Sequence, residues 1–338
     1  MNYRLSWFLR HHAGESHSLD DIATAIGRTP AQVSRDLEEL RGTGFQVDAH
    51  PATGLLVAAV PQAYDRDELN LVGAGRRIGH TVHVYDSTGS TNDVAMGLAG
   101  AGRQTDGLVV VAEEQTAGRG RQGAEWVGTR SESLLVSVIH WMKPCAERAA
   151  ETVLAAGVAV ADAIAEVTGL RVGIKWPNDV EVDRRKVAGI LVECAGPHDD
   201  GGSGQEVCGV PYVIGIGVNV NQSEEDFPAA ISGQAASLRM AAGRVVDRIL
   251  LLDRILRRLD EGVTQLDAGA LEGLLDRYMR HCDMIGRAVA VREGPETFCG
   301  TVEAISPHYA LVVRLESGEL RSFGVSGVRV RGRPEGRR

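Results

Sequence analysis

The chain has 338 residues, 43% of them apolar, and a formal charge of −9, which leaves room for one large domain or two to three smaller ones with an ample core. No apolar run reaches the roughly 18 residues of a membrane span, and the acidic balance speaks against a generally basic nucleic-acid coat. Five scattered cysteines (145, 194, 208, 282, 299) without a C-x-x-C, and a start without a long apolar core or small-residue cleavage site, predict a cytoplasmic chain with reduced thiols.

Residues 1–62 read as a separate unit. Ser18 is placed to cap a helix over LDDIATAIG, and Thr29-Pro30 starts another, with Gln32 completing a capping box. Val33, Leu37 and Leu40 recur at helical spacing. FQVDAHPATGLLVA then predicts two short strands around a Pro/Gly turn. Helix, tight turn, helix and hairpin is the order of a winged helix-turn-helix. The second helix offers Gln32 and Arg35 to DNA, but beside Asp36 and Glu39. Five arginines, no lysine and seven acids in 1–62 make a poor electrostatic footprint for nucleic acid.

A polar, Gly-containing stretch, AYDRDELNLVGAGRR, marks a boundary, so 63–80 is expected as a linker. From about 80 to 222 strands and helices interleave. Predicted strands are VHVYDS, LVVVAEEQ, SLLVSVIHW, RVGIKWPNDVEV, KVAGILVEC and YVIGIGVNV, with a buried Ala-rich helix over ERAAETVLAAGVAVADAIAEVTG. The Gly-rich stretch at 196–211 has turn composition and is expected to be a mobile loop. Two amphipathic helices are expected within 244–282, then short strands and Gly turns of a small barrel, and a disordered basic tail.

AEEQTAGRGRQGAEW, residues 112–126, contains G-x-G-x-x-G at 118, 120 and 123. A dinucleotide fingerprint needs a strand ending at the first glycine and a helix opening within the motif. Here Thr116-Ala117 intervene, and a loop and another strand follow. The Walker pattern also fails for want of a closing Gly-Lys-Ser/Thr. What remains is a flexible loop whose Arg119 and Arg121 forks suit phosphate or carboxylate, with Trp126 near enough to cover a planar base.

Only Lys143, Lys175 and Lys186 among the 36 basic residues are lysine, and two of these fall in KWPNDVEVDRRKVAGILVE (175–193). That segment sets Lys175, Trp176, Asn178, Asp179 and Lys186 on a strand hairpin, and Gly189 in its return strand marks a close approach to the backbone. GSTNDVA (89–95) puts Ser90, Thr91 and Asn92 where a helix begins; capping explains one of them, and three polar groups with Gln115 suit a small polar head group. GIGVNVN (215–221) strips side chains from one strand face and leaves a slot for a flat or extended ligand.

In this order S-T-N, Q-x-x-G-R-G-R-x-G, K-W-P-N-D, K-x-x-G-I-L-V-E and G-I-G-x-N resemble biotin protein ligases over roughly residues 80–330. With the amino-terminal unit, the chain is similar to the bifunctional members that also repress the biotin operon. The resemblance implies an α+β fold: a winged helix-turn-helix domain (1–62), a linker (63–80), a catalytic domain (81–285), an SH3-like β-barrel (286–331) and a basic tail (332–338). Within the catalytic domain it implies a central mixed sheet with helices on one side, in the class II aminoacyl-tRNA synthetase-like arrangement.

The same resemblance implies that biotin and ATP form biotinyl-5′-AMP and pyrophosphate, after which biotin passes to a lysine of a biotin carboxyl carrier protein, an acetyl-CoA carboxylase subunit. Ser90, Thr91, Asn92 and Gln115 would surround the biotin head group, and Gly189, Gly215 and Gly217 would line its slot. Arg119, Gly120 and Arg121 would act from the loop on biotin and adenylate. Trp126, Asn178 and Asn219 would surround the adenylate, and Lys186 would contact the biotin carboxylate and the phosphates. Operator DNA and a second copy of the chain are further expected partners.

The chemistry agrees with those roles. Two unit charges about 4 Å apart repel by roughly 4 kcal/mol at an effective dielectric near 20, about three powers of ten in rate. Arg121 and Lys186 would offset that repulsion, with Mg²⁺ on the polyphosphate. The substrate carboxylate attacks, so no enzyme nucleophile is needed. Asp179 is the candidate to orient or accept the incoming lysine proton, or to help hold Mg²⁺. A lipoate-type ligase and a non-catalytic biotin-sensing repressor are the competing readings. The G-R-G-R and K-W-P-N-D elements favour biotin, and the presence of both Arg121 and Lys186 favours catalysis.

Overall fold

The computed structural model describes residues 2–50, 54–143, 147–194 and 209–332. Cys145, Cys208, most of the Gly-rich stretch at 196–211 and nearly all of the basic tail lie outside the described residues.

The amino-terminal unit runs α1 (Tyr3–His11), β1 (Ser16–His17), α2 (Leu19–Ile26), α3 (Pro30–Arg41), β2 (Gln46–His50) and β3 (Gly54–Ala59). Its strands lie in the order β1-β3-β2. Ser18 accepts from the Asp21 N–H, and Thr29 and Gln32 form the expected capping box on α3. The unpredicted α1 is capped by Asn2. Leu5, Leu9, Ile22, Val33, Leu37, Leu40, Phe45 and Val57 make a core of their own. On α3, Arg35 is exposed, whereas the Gln32 side chain is engaged by the Thr29 cap.

The expected linker is instead a helix, α4 (Arg66–Gly73), capped by Asp65 with Leu69 and Glu68 buried. Glu68 receives a bidentate fork from Arg10 (both contacts 3.1 Å), and Arg10 also reaches Asp247 at 3.1 Å. Arg10 is only 2% exposed. Buried charge of this kind requires matched partners, so this junction is packed rather than slack.

The central region runs β4 (Val82–Tyr85), α5 (Thr91–Ala99), β5 (Val109–Ala112), β6 (Ser133–Met142), α6 (Arg148–Thr168), β7 (Gly173–Lys175), β8 (Asp179–Val182), β9 (Arg185–Cys194), β10 (Val210–Asn219), α7 (Leu238–Ala242), α8 (Arg248–Asp267) and α9 (Leu271–His281). The sheet order is β4-β5-β6-β10-β9-β8-β7. β4 and β5 are parallel and the other pairs antiparallel, so the sheet is mixed.

Alternation along the strands separates two faces. Val109, Val111, Val138, Ile214 and Ile216 pack with the Ala-rich α6 and with α8. Val110, Ile139 and Val213 pack against Ala95 and Ala99 of α5. Helices therefore cover one face extensively, but α5 sits on the other, a departure from the one-sided expectation. The cause is local: α5 is only nine residues long, and its Ala95 and Ala99, flanked by Val94, Met96 and Leu98, cover one end of that face. The rest is left for a cavity.

The final strands are β11 (Ala288–Glu293), β12 (Glu296–Ile305), β13 (Leu311–Leu315), β14 (Leu320–Phe323) and β15 (Val328–Gly332), ordered β14-β13-β12-β11-β15 and antiparallel throughout. A bulge between Val302 and Ala304 interrupts the β12–β13 register. Their apolar face is continuous with the central core through Val289, Val291, Tyr309 and Val328. Trp176 is part of this junction, donating to the Tyr309 carbonyl at 3.0 Å. No described helix is long and apolar enough to cross a membrane.

Candidate active site

On the α5 face of the sheet lies a cavity of about 230 Å³, lined by Ser90, Thr91, Asn92 and Gln115, by the loop at 119–126, by Asn178, Asp179, Lys186 and Gly189, and by Gly215 and Gly217. Val328, Arg329 and Val330 of β15 complete its wall. Sequence reasoning did not foresee that wall.

The glycine–arginine loop is a tight hairpin. The Gly120 N–H donates to the Ala124 carbonyl, the Trp126 N–H to the Gly118 carbonyl, and the backbones of Arg119 and Glu125 form an antiparallel β-bridge. Gly118 must be small because a Cβ there would stand 2.5 Å from the Trp126 carbonyl oxygen. The tip at 121–123 needs left-handed backbone at Gln122 (φ 54°) and Gly123 (φ 72°). The two guanidiniums diverge. Arg119 pairs with Asp93 of α5 through two 2.6 Å contacts. Arg121 donates to Asn178 Oδ1 at 2.9 Å and to the carbonyls of Val325 and Val328. Arg329 in turn donates to Gln122. The loop expected to be loose is thus docked on the carboxy-terminal strands.

Burial is the main influence on Arg121 and lowers its pKa, while Asp179 acts against it from beyond ion-pair distance. Its bonded partners are neutral acceptors, and no carboxylate lies within ion-pair distance of it among the described residues. A guanidinium remains charged regardless, and a half-buried fork without a matching carboxylate has the chemistry to pair with an incoming anion.

Lys186 Nζ lies 2.6 Å from Asp179 and 5.5 Å from the Trp126 ring centroid. Across β8 and β9, Asp179 pairs with Gly189, which brings these groups to one end of the cavity. Asp179 is the carboxylate among its lining residues closest to Lys186. One carboxylate plus substrate phosphates is an ordinary arrangement for Mg²⁺, and the donor set fits on that basis.

At the other end Ser90 begins α5, yet its side chain makes no cap bond. Gln115 Oε1 performs that task, accepting from the Thr91 N–H at 2.7 Å and its hydroxyl at 2.9 Å. Ser137, fully buried on β6, lies 2.8 Å from Thr91 Oγ1 and 2.6 Å from Asn92 Oδ1. Asn92 Nδ2 donates to Glu193 at 2.6 Å. Ser137 and Glu193 were not anticipated; their strand alternation puts them on this face, but nothing adjacent in sequence marks them.

The slot expected at the bare glycines is occupied by the protein itself. A Cβ on Gly215 would stand 2.3 Å from Asn92 Oδ1, and one on Gly189 would stand 3.0 Å from the Trp126 ring. Trp126 Nε1 is buried and has no hydrogen-bond partner among the described residues. Asn219 departs from expectation, lying outside the cavity lining. It is buried and donates to the Ala236 carbonyl at 3.3 Å, and Ala236 donates to the Lys186 carbonyl. Asn219 therefore buttresses the strand that carries Lys186.

Residues 84–208 match the Biotin/lipoate A/B protein ligase family. The chain is 32% identical over 297 residues to the bifunctional ligase/repressor BirA of Bacillus spizizenii, covering 88% of this chain and 89% of that one. It is 35% identical over 204 residues to a biotin–[acetyl-CoA-carboxylase] ligase of Mycobacterium tuberculosis, covering 59% of this chain and 69% of that one. Among solved structures, the Aquifex aeolicus biotin protein ligase in complex with biotin and ATP superposes with a TM-score of 0.61 at 25% identity, over 75% of this chain and 99% of that one.

Proposed function

The chain belongs to the biotin protein ligase family, and on that premise we propose that the cavity beside α5 is where it joins biotin to ATP. It is an ATP-dependent biotin protein ligase. A biotin carboxylate oxygen attacks the α-phosphorus, the bond to the bridging oxygen breaks and pyrophosphate leaves. A carrier lysine amine then attacks the acyl carbon of biotinyl-5′-AMP, forming an amide as AMP departs and a proton is lost.

The observation that carries the assignment of the site is Arg121, half-buried and, among the described residues, bonded to Asn178 and two backbone carbonyls and to no carboxylate. An incoming phosphate or carboxylate would supply the missing negative charge. Lys186 exchanges part of its attraction to Asp179 for the second anion. When bound, Mg²⁺ neutralises polyphosphate charge, and Asp179 would hold it. The Ser90, Thr91, Asn92, Gln115 and Ser137 cluster reads a compact polar head group. The bare strand face at Gly189, Gly215 and Gly217 accepts the ligand body once Trp126 withdraws, and Trp126 then covers the nucleotide. Asn178 orients Arg121, while Arg119 and Gly120 close the loop.

The acceptor of the second step is a biotin carboxyl carrier domain, and the chain acts in the cytoplasm, where ATP and the carrier meet. We read the amino-terminal unit as a winged helix-turn-helix and the last five strands as an SH3-like domain. The unit's order of elements supports operator binding through α3, with Arg35 exposed, and dimerisation would present two such helices.

Incubation with ATP, labelled biotin and a carrier domain tests the ligase reading. Covalent label on the carrier is expected. Label from lipoate instead, or adenylate binding without transfer, would overturn it. A gel shift on the DNA upstream of the gene, with and without biotin, tests the repressor role; wild-type binding lost in Arg35→Ala is expected.

A further inference from the structure

Independently of the ligase site, we propose that His12, Glu15 and His17 form a binding site for a divalent transition-metal ion of the Zn²⁺ class. One ligand atom from each converges, all within 4.8 Å of one another. His12 Nδ1 lies 2.7 Å and His17 Nε2 3.2 Å from the same Glu15 oxygen, Oε2. Bonds of about 2.0–2.2 Å to nitrogen and oxygen at tetrahedral angles separate ligands by a little over 3 Å, so small side-chain rotations bring all three onto one centre. Two imidazoles and a carboxylate suit Zn²⁺, Co²⁺ or Ni²⁺, whereas Mg²⁺ and Ca²⁺ require mostly oxygen.

The backbone holding these ligands is fixed from both sides, unlike that of a chance surface cluster. His12 ends α1 with its N–H on the Phe8 carbonyl. The Gly14 N–H donates to Val57 at 2.8 Å, the Val57 N–H donates back to Glu15 at 3.2 Å, and His17 pairs with Leu55. Phe8 contacts both imidazoles, with ring centroids 4.3 Å from His12 and 5.2 Å from His17. Glu15 and the two rings remain partly open to solvent, with side-chain exposures of 59%, 34% and 21%, so an ion can enter without unfolding. A bound ion would clamp the end of α1 to the strand pair β1–β3. It would thereby stiffen the unit that we read as DNA-binding.

The test uses the full chain without an affinity tag, stripped of metal by a chelator. Titration with Co²⁺ should give a saturable visible band at one ion per chain, and Zn²⁺ should displace it. X-ray absorption of the Zn²⁺ form should show two imidazoles and oxygen donors. His12→Ala with His17→Ala should abolish stoichiometric binding, and Glu15→Gln should weaken it by roughly tenfold or more. Circular dichroism checks that the variants fold, and the absorption measurement stands even if they do not. Absence of saturable binding by the wild type below roughly 100 μM, sulfur donors in the spectrum, or undiminished binding in the folded double variant would each overturn the proposal.

Discussion

The indole of Trp126 fills the space that a side chain on Gly217 would take: a Cβ there would stand 2.4 Å from Cε2 and 2.7 Å from Nε1. With the indole so placed, the cavity of about 230 Å³ is below the roughly 300–1,000 Å³ of small-molecule sites. Binding of biotin with ATP should therefore move Trp126 and change its fluorescence, and Trp126→Phe should remove that change. An identical ligand response in wild type and variant would mean that the indole stays put. Gly217→Ala should cost about 1–3 kcal/mol through overpacking, read as a lower denaturation midpoint.

Arg121→Ala should lower kcat/KM for adenylate formation by about 10²–10³, the scale seen for a lost transition-state donor. Lysine should not rescue it, because a single ammonium cannot serve Asn178, the Val325 and Val328 carbonyls and an anion together. Biotin-dependent pyrophosphate release measures this step. Wild-type release by Arg121→Ala would remove the residue from the mechanism.

Lys186 and Asp179 should separate by step. Lys186→Ala is expected to impair adenylation most. Asp179→Asn is expected to slow transfer from preformed biotinyl-5′-AMP to the carrier by about tenfold or more. If Asp179→Asn leaves both half-reactions unchanged, it serves neither as proton acceptor nor as Mg²⁺ ligand.

Ser137→Ala removes a hydroxyl from between Thr91 and Asn92 and should raise the biotin dissociation constant by roughly tenfold, about 1–2 kcal/mol. ATP affinity, measured separately by calorimetry, should change little. An equal loss for both ligands would point instead to general collapse of the site.

Stability should fall as pH rises above neutrality. Burial works to lower the pKa of His140, but its contacts with Asp106 and Asp267 outweigh that and hold it above 6.5. His281 is also raised, chiefly by its hydrogen bond to Asp162. Both contributions are complete below about pH 6.5, the unfolded value, and vanish as pH climbs through the folded values. Asp267 works oppositely: burial raises its pKa, but the His140 and Arg77 interactions bring it to about 2. Its contribution is present above the unfolded carboxylate value and is lost as pH falls towards about 2. Melting should occur at higher temperature near about pH 6 than near about pH 8.5, with a smaller difference in His140→Gln. An unchanged difference in that variant would exclude His140 as a source.

Much of the amino-terminal unit and of the central region was legible because the signals are local. The capping box at Thr29 and Gln32, the Ala-rich run of α6 and the bare glycines of β10 each depend on neighbours a few positions away. Three helices escaped: α1, α4 and the five-residue α7. Asn2 with Leu5 and Leu9 announces α1, and Asp65 with Leu69 announces α4, but short, charged segments carry a weak periodic signal. The wall made by β15, the turning of Arg121 towards Val325 and the exclusion of Asn219 depend on contacts between distant parts of the chain. Local pattern does not encode those distances.

The buried grip of Arg10 on Glu68 and Asp247 bears on how this protein can be taken apart. Arg248, beside Asp247 on α8, grips Glu113 at 2.9 Å, just ahead of the glycine–arginine hairpin. A catalytic fragment beginning after residue 62 would inherit two interior carboxylates stripped of their cation, next door to the hairpin's root. Shortened versions should therefore start with that arginine's role replaced, for instance by neutralising Glu68 and Asp247 together, instead of at the apparent seam.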